Sequence, residues 1–345
     1  MTAVIEPAQI AAPEPESPPR AAVGVGLLAL GVAVAELGHL LVPQLGVLTW
    51  AIGLGVAATN LRILPAAAVP GLGALTKRLL RVGVVLLGFS VSFASIAALG
   101  LPMVALVAGV LVSTLLFTLW LGRRVGVGGP RSLLIATGVA VCGASAIAAM
   151  EETADADEDD VAAAIGMVTL FGTLALIAIP LAQGPLGLTD LQVGAWAGAS
   201  VHEVGQVVAA AGSAGAAAVS IAVVVKLTRV VLLAPVVAVV GIVRRRSAPT
   251  TVVREGRPPL VPLFVLGFLA CAALRTIGVV PDAALGWIGQ VQVVALGAAL
   301  FGMGCSVRIS DLLRNGRAVI VMATLATLFI SGLSLAGLLL ITPGS

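Results

Sequence analysis

The chain reads as an all-α polytopic membrane protein of about eleven transmembrane helices with an inverted repeat and broken crossing helices. Of its 345 residues, 59% are hydrophobic and only 10% are charged, where a soluble domain carries about 25% charge. Mean hydropathy is +1.15. The 41 glycines and the long alanine runs are small residues that let transmembrane helices approach closely. A soluble enzyme is thereby excluded, although the length alone would allow one.

A spanning helix needs about 20 mainly apolar residues. Such runs occur at 21–42, 44–59, 80–99, 101–122, 132–150, 161–183, 191–212, 216–243, 260–276, 283–305 and 318–341. Residues 1–20, rich in Pro and Glu without a basic stretch, form an expected disordered cytoplasmic tail and not a signal peptide. Residues 21–341 form one transmembrane domain, and 342–345 a short tail.

The basic residues supply an orientation. Arg62, Lys77 and Arg78 fall between the second and third runs, with Arg81 at the entry of the third, and Arg123, Arg124 and Arg131 between the fourth and fifth. Arg244, Arg245, Arg246, Arg254 and Arg257 follow the eighth, and Arg308, Arg314 and Arg317 the tenth. The alternate loops carry only Arg275. The positive-inside rule puts the N-terminus in the cytoplasm and the C-terminus outside. Eleven crossings also put the stretch 151–160, with seven of the sixteen acidic residues, on the outer side. Asp155, Asp157 and Asp159 start a calcium-loop spacing, but the glycine that should follow is missing and position twelve is Gly166. A solvated loop whose last acids favour the start of the next helix is the simpler reading.

An internal match accompanies these runs. Residues 88–96 align with 304–312, with Gly88 and Gly304, Ser90 and Ser306, and Val91 and Val307 in register. Each copy precedes one further apolar run, and the copies run in opposite directions, a plan common in secondary transporters.

No phosphate-binding loop occurs, and His202-Glu203 lacks the second histidine of a zinc hydrolase motif. The chain is expected to be neither an enzyme nor a cofactor protein. The three cysteines, Cys142, Cys271 and Cys305, lack metal-ligand spacing. The chemistry lies in polar groups within the apolar runs. The seventh run holds His202, Glu203 and Gln206 near its middle, between Gly198 and Gly205. The glycines permit an unwound stretch or a close contact. A buried ionisable group costs several kcal/mol unless paired or hydrated. The eighth run holds Lys226 and, three residues on, Arg229, with Pro235 beyond. Glu203 can neutralise one cation, which leaves about one positive charge for an anion. The bland alternatives are a Glu203 ion pair with either cation, or an interhelical hydrogen-bond network. The fifth run contains Cys142-Gly143-Ala144-Ser145 among small residues. Such a segment packs tightly or breaks, and a broken helix exposes N–H groups that hold an anion. Gly143-Ala144-Ser145 and Gly198-Ala199-Ser200 share a tripeptide. Glu36 and His39 share a face of the first run towards its outer end and are left outside the site.

Residues 141–149, 198–210 and 226–235, with 79–89 and 262–268, resemble the YeiH-type family, whose members carry a sulfate-exporter label. The resemblance spans about 21–341. It implies an inner-membrane transport protein related to the bile acid, arsenite and riboflavin transporters, with inverted repeats and broken helices. The expected function is secondary active transport of a small anion, such as sulfate or a related sulfur oxyanion, coupled to H+ or Na+. The expected substrate contacts are Lys226, Arg229, His202, Glu203, Gln206, Cys142, Gly143, Ala144 and Ser145. A sodium-coupled organic anion carrier, an anion channel and a non-transporting scaffold are the alternatives. The partners expected are a small anion and the lipid bilayer, not nucleic acid; a homo-oligomer is left open.

Overall fold

The computed structural model describes residues 18–42, 46–64, 69–247, 262–310 and 316–342. Most of the expected N-terminal tail lies outside them, though Pro18–Arg20 already belong to the first helix.

The first group of helices comprises α1 (Pro18–Leu41), α2 (Val47–Asn60), α3 (Val69–Leu87), α4 (Phe93–Ala98) and α5 (Gly100–Val125), with a 3-10 turn at Gly88–Ser90 before α4. Then come α6 (Gly129–Ala140), α7 (Ala144–Ala154), α8 (Glu158–Leu186), α9 (Asp190–Ser200) and α10 (Val204–Gly212). The chain closes with α11 (Ala216–Val231), α12 (Leu233–Ser247), α13 (Leu263–Ile277), α14 (Asp282–Gly304) and α15 (Arg317–Ile341). No strand occurs among the described residues. Six stretches are long and apolar enough to cross a membrane: α1 from Ala22, α5, α8, α11 with α12, α14 and α15. The protein is an all-α polytopic membrane protein.

Two of the eleven apolar runs do not cross. Arg131 at the start of α6 pairs with Asp160 at the start of α8 (2.7 Å). One turn and more further on, a Cβ at Gly138 would meet Val168. So α6 and α8 are parallel and begin at the same face. The run between them therefore returns: Gly138 of α6 also faces Ile147 of α7, and the far end of α7 takes a bond from Arg244 of α12 to the Thr153 carbonyl (2.8 Å). The same holds for α9 and α10. A Cβ at Gly194 would meet Ala218, and one at Gly198 would meet Ala222, so α9 and α11 are parallel. Between them α10 folds back onto α11 through a three-residue turn at Gly215, whose φ is +97°. Both runs are re-entrant hairpins. The first enters from the face that carries Arg123, Arg124, Arg131 and Arg244, and the second from the opposite face.

This corrects the side of the acidic stretch. Glu151, Glu152 and Asp160 lie on the basic face, where Lys77 meets Glu151 (2.6 Å) and Arg81 meets Glu152 (2.8 Å). Asp157 caps α8 by accepting from the Asp160 amide (2.7 Å). The two reversals cancel, so α1 and α15 still begin on one face and end on the other. A second correction concerns α3, which starts at Val69 and not near 80. Lys77, Arg78 and Arg81 are therefore helical, and the apolar-run criterion discarded this charged first half.

The helices form two groups. In one, α1, α2, α3, α13 and α14 pack together; in the other, α5 to α11 and α15 surround the hairpins. In the second group α15 lies antiparallel to α9, with Trp196 donating to the Ser331 carbonyl (2.9 Å) and Gln192 to the Thr342 carbonyl (3.3 Å). In the same way α5 lies antiparallel to α6, with Gly122 against Ser132. Each hairpin thus has an equivalent neighbour in an inverted arrangement. The matched segments at 88–96 and 304–310 both follow a helix end; residues 311 and 312 lie outside the described residues.

Candidate functional site

The hairpin tips meet at one point inside the second group. In the first, α6 stops at Ala140, the chain turns through Val141, Cys142 and Gly143, and α7 starts at Ala144. Gly143 has φ +72° and ψ −132°, a conformation essentially closed to residues with a Cβ. Its missing side chain also makes room, since a Cβ there would lie 2.6 Å from Glu203 Cγ. In the second hairpin, α9 stops at Ser200, and Val201 and Glu203 are extended before α10.

Lys226 and Arg229 of α11 lie between the tips and are fully buried. Their bonds run to the carbonyl ends of both entering arms. Lys226 Nζ donates to the Val141 carbonyl (2.9 Å) and the Val201 carbonyl (2.7 Å). Arg229 donates through Nε to Ala140 (3.0 Å) and through Nη2 to Val139 (2.7 Å). Its Nη1 reaches Ala199 (2.9 Å) and Val201 (3.3 Å). A helix C-terminus carries about half a negative charge and unpaired carbonyls. The cations meet two such ends at once. The alternative of an ion pair between Glu203 and either cation is not realised; the carbonyls take that place.

The returning arms present the opposite polarity. The Glu203 carboxyl group lies beside Gly143 and faces the Ala144 amide and the Thr169 hydroxyl. It is 8% exposed, and its Oε1 completes no hydrogen bond. Gln206, one turn into α10, accepts from the Glu203 amide (3.3 Å) and donates to the Thr169 carbonyl (3.2 Å) and the Thr173 hydroxyl (3.3 Å) of α8. His202 is fully buried, with Nε2 3.0 Å from the Thr327 hydroxyl of α15, while Nδ1 has no partner. Cys142 is a buried free thiol at the first tip, and Ser145 is partly buried on the first turn of α7.

All nine residues expected from the sequence thus lie at or beside the two tips. The shared tripeptide falls on opposite arms: 143–145 opens the return of the first hairpin, and 198–200 closes the entry of the second. Sequence reasoning missed Thr169, Thr173 and Thr327, which hold Gln206 and His202; threonine is too common in apolar helices to stand out. It also missed an open cavity lined by Glu36 of α1, Ser90, and Gln290 and Gln292 of α14. Two glutamines in one apolar run were the available signal.

These features define an all-helical membrane protein of the re-entrant type, with a charged centre built on two hairpin tips. The chain belongs to the family described as Conserved hypothetical protein 698, which it matches over residues 22–323, and its relatives are UPF0324 membrane proteins. One, from Corynebacterium glutamicum, is 40% identical over 318 residues, 92% of each chain. Another, the UPF0324 membrane protein TauZ of Paracoccus denitrificans, is 38% identical over 267 residues, 76% of this chain and 78% of its own. A third, from Bradyrhizobium diazoefficiens, is 36% identical over 305 residues, 88% of this chain and 86% of its own. No solved structure matches.

Proposed function

We propose that the protein is a secondary active transporter of a small anion, sulfate or a related sulfur oxyanion, in the bacterial inner membrane. The carrying observation is the pair of buried hairpin tips whose returning arms, α7 and α10, aim their amide ends at the same place. Helix N-termini attract anions through unpaired N–H groups and the positive end of the dipole, and half-helices that point at an anionic group at mid-membrane are a transporter device. The anion is taken to sit against the Gly143, Ala144 and Ser145 backbone, bordered by Cys142, His202, Glu203 and Gln206. An ammonium has three donors and a guanidinium five, so Lys226 and Arg229 each keep one N–H beyond their carbonyl bonds. Their larger role is to hold the tips and offset Glu203. The basic face is assigned to the cytoplasm, with the N-terminus inside and the C-terminus outside. The protein is taken to need no cofactor beyond a coupling ion and to perform no covalent chemistry.

One observation favours a scaffold as the second reading: every hydrogen bond of both cations goes to hairpin carbonyls. The two readings part in a thermostability screen of the purified protein against sulfate, thiosulfate, sulfite, taurine and carboxylates, followed by flux into proteoliposomes. A ligand that binds the folded state raises apparent stability by mass action. Stabilisation and saturable flux by one anion support the transporter. An unaltered melting profile with the whole panel, and no flux, would leave only the scaffold.

A further inference from the structure

Glu203 stands where the proposed substrate would stand. Its side chain crosses from the second hairpin to the first, packs on Gly143 and faces the Ala144 amide at the start of α7, while its own backbone caps the start of α10. The carboxylate therefore already occupies the N-terminus of α7, worth about half a positive charge, and belongs to the residue that opens α10. The charged and titratable groups around it are Lys226 and Arg229 from α11, Cys142 from the first tip and His202 beside it. From α8 it meets the uncharged Thr169, and from α2 Leu48 packs on the neighbouring Gly205. The cations are engaged by carbonyls, so neither pulls the carboxylate out of its seat.

A second anion cannot join a charged carboxylate there. Two like charges a few ångströms apart, away from water, cannot both stay ionised. The charge of Glu203 has to go first, and the surroundings favour one way of removing it. A metal cation would face an amide end, a threonine hydroxyl and two nearby positive side chains, not a cage of oxygens. A proton bonds to the carboxylate itself and needs no cage. Resting on the transporter reading, we infer that Glu203 is an internal stand-in for the substrate anion and the carrier of the coupling proton: it takes up one proton as the anion binds and releases it as the anion leaves. Anion and proton then move in the same direction, one with one. The empty transporter, with Glu203 charged and seated, closes its own site.

The test uses the full-length protein in weakly buffered detergent with a pH indicator, and sulfate and thiosulfate as probes. Binding to the wild type takes up about one proton per anion, and the affinity falls by up to about tenfold per pH unit as the pH rises. Glu203→Gln carries no charge to remove. It binds the anion without proton uptake and with an affinity flat in pH. In proteoliposomes it still exchanges anion for anion but no longer accumulates it under an imposed pH gradient. Anion binding to the wild type without proton uptake overturns the inference and leaves the transporter reading standing, whether or not the variant folds. Gradient-driven accumulation that survives in Glu203→Gln also overturns it. A wild type that neither binds nor moves the probes removes both.

Discussion

Replacing Arg229 with methionine keeps most of the buried volume and removes every donor. Four carbonyls are affected, but unequally. Val201 keeps Lys226 at 2.7 Å, whereas Val139, Ala140 and Ala199 lose their side-chain donor. A buried polar group left unsatisfied costs about 1–3 kcal/mol, which gives roughly 3–9 kcal/mol for three. Removing a buried cation returns part of its desolvation penalty, and water entering the tips satisfies another part. The net loss expected is about 2–5 kcal/mol, in the range for breaking a buried charge arrangement. Lys226→Met strands Val141 alone, because Val201 keeps Arg229 at 3.3 Å, so about 1–3 kcal/mol is expected. The order is the sharp part: Arg229→Met below Lys226→Met, with Arg229→Lys between Arg229→Met and wild type. The assay is thermal unfolding in detergent, read by monodispersity and by the fluorescence of Trp196, which ties α9 to α15. The exposed Arg123→Ala is the control. If Lys226→Met were the more damaging, or Arg229→Met matched the control, the cations would not be what holds the tips.

Three further outcomes are expected. Single cysteines at Glu158 and at Arg246 react with an impermeant thiol reagent from one side of the membrane, and one at Gly187 from the other; labelling of the Gly187 and Arg246 positions from the same side, with Glu158 from the other, is what eleven crossings require and would refute the re-entrant hairpins. Gly143→Ala places a Cβ on Glu203 and imposes a positive φ on alanine, so it lowers stability by at least about 1 kcal/mol, measured by the same unfolding assay, and abolishes anion binding. Lys77→Glu alone weakens the protein by no more than about 1 kcal/mol, because the Lys77 side chain is 46% exposed, and Lys77→Glu with Glu151→Lys recovers it in a double-mutant cycle.

The apolar runs were legible because length and hydropathy alone mark them, and the site was legible because charge within such runs is conspicuous. Breaks at Gly143 and near Glu203 could also be anticipated from glycines beside polar residues. Their consequence could not. A run of some twenty apolar residues has the same composition whether it crosses once or holds two arms of eleven and nine residues, as α9 and α10 do. The basic residues do not expose the difference either. Two reversals in succession, one from each face, leave every loop after α11 and before α6 on its original side. Only the loop 155–157 and the turn at 187–189 change sides. The acids are what break this degeneracy: the outer loops offer Arg275 alone for seven acids, whereas in the structure Asp160 meets Arg131 with both side chains largely shielded. The sequence holds both halves of that pair, 29 residues apart, but only the return of α7 brings them together.

The two helix groups differ in what binds them, and the site depends on the difference. Inside each group backbones touch: a Cβ at Gly55 of α2 would strike the Phe301 carbonyl of α14, one at Gly88 the Phe268 carbonyl of α13, and one at Gly198 the Ala222 carbonyl of α11. Sliding these helices past one another would force main chains apart in close-packed surroundings. Between the groups, the hairpins meet α2 and α3 through side chains: a Cβ at Gly205 would lie 3.3 Å from the Leu48 side chain and not against main chain, and Glu151 and Glu152 reach Lys77 and Arg81, both 46% exposed. Exposed ion pairs contribute about 0–1 kcal/mol each and re-form readily with water or with other partners. Relative displacement therefore costs least along the boundary that runs beside the hairpin tips. The contacts that define the tips, from Lys226 and Arg229 to five carbonyls, all lie within one group and would move with it unbroken.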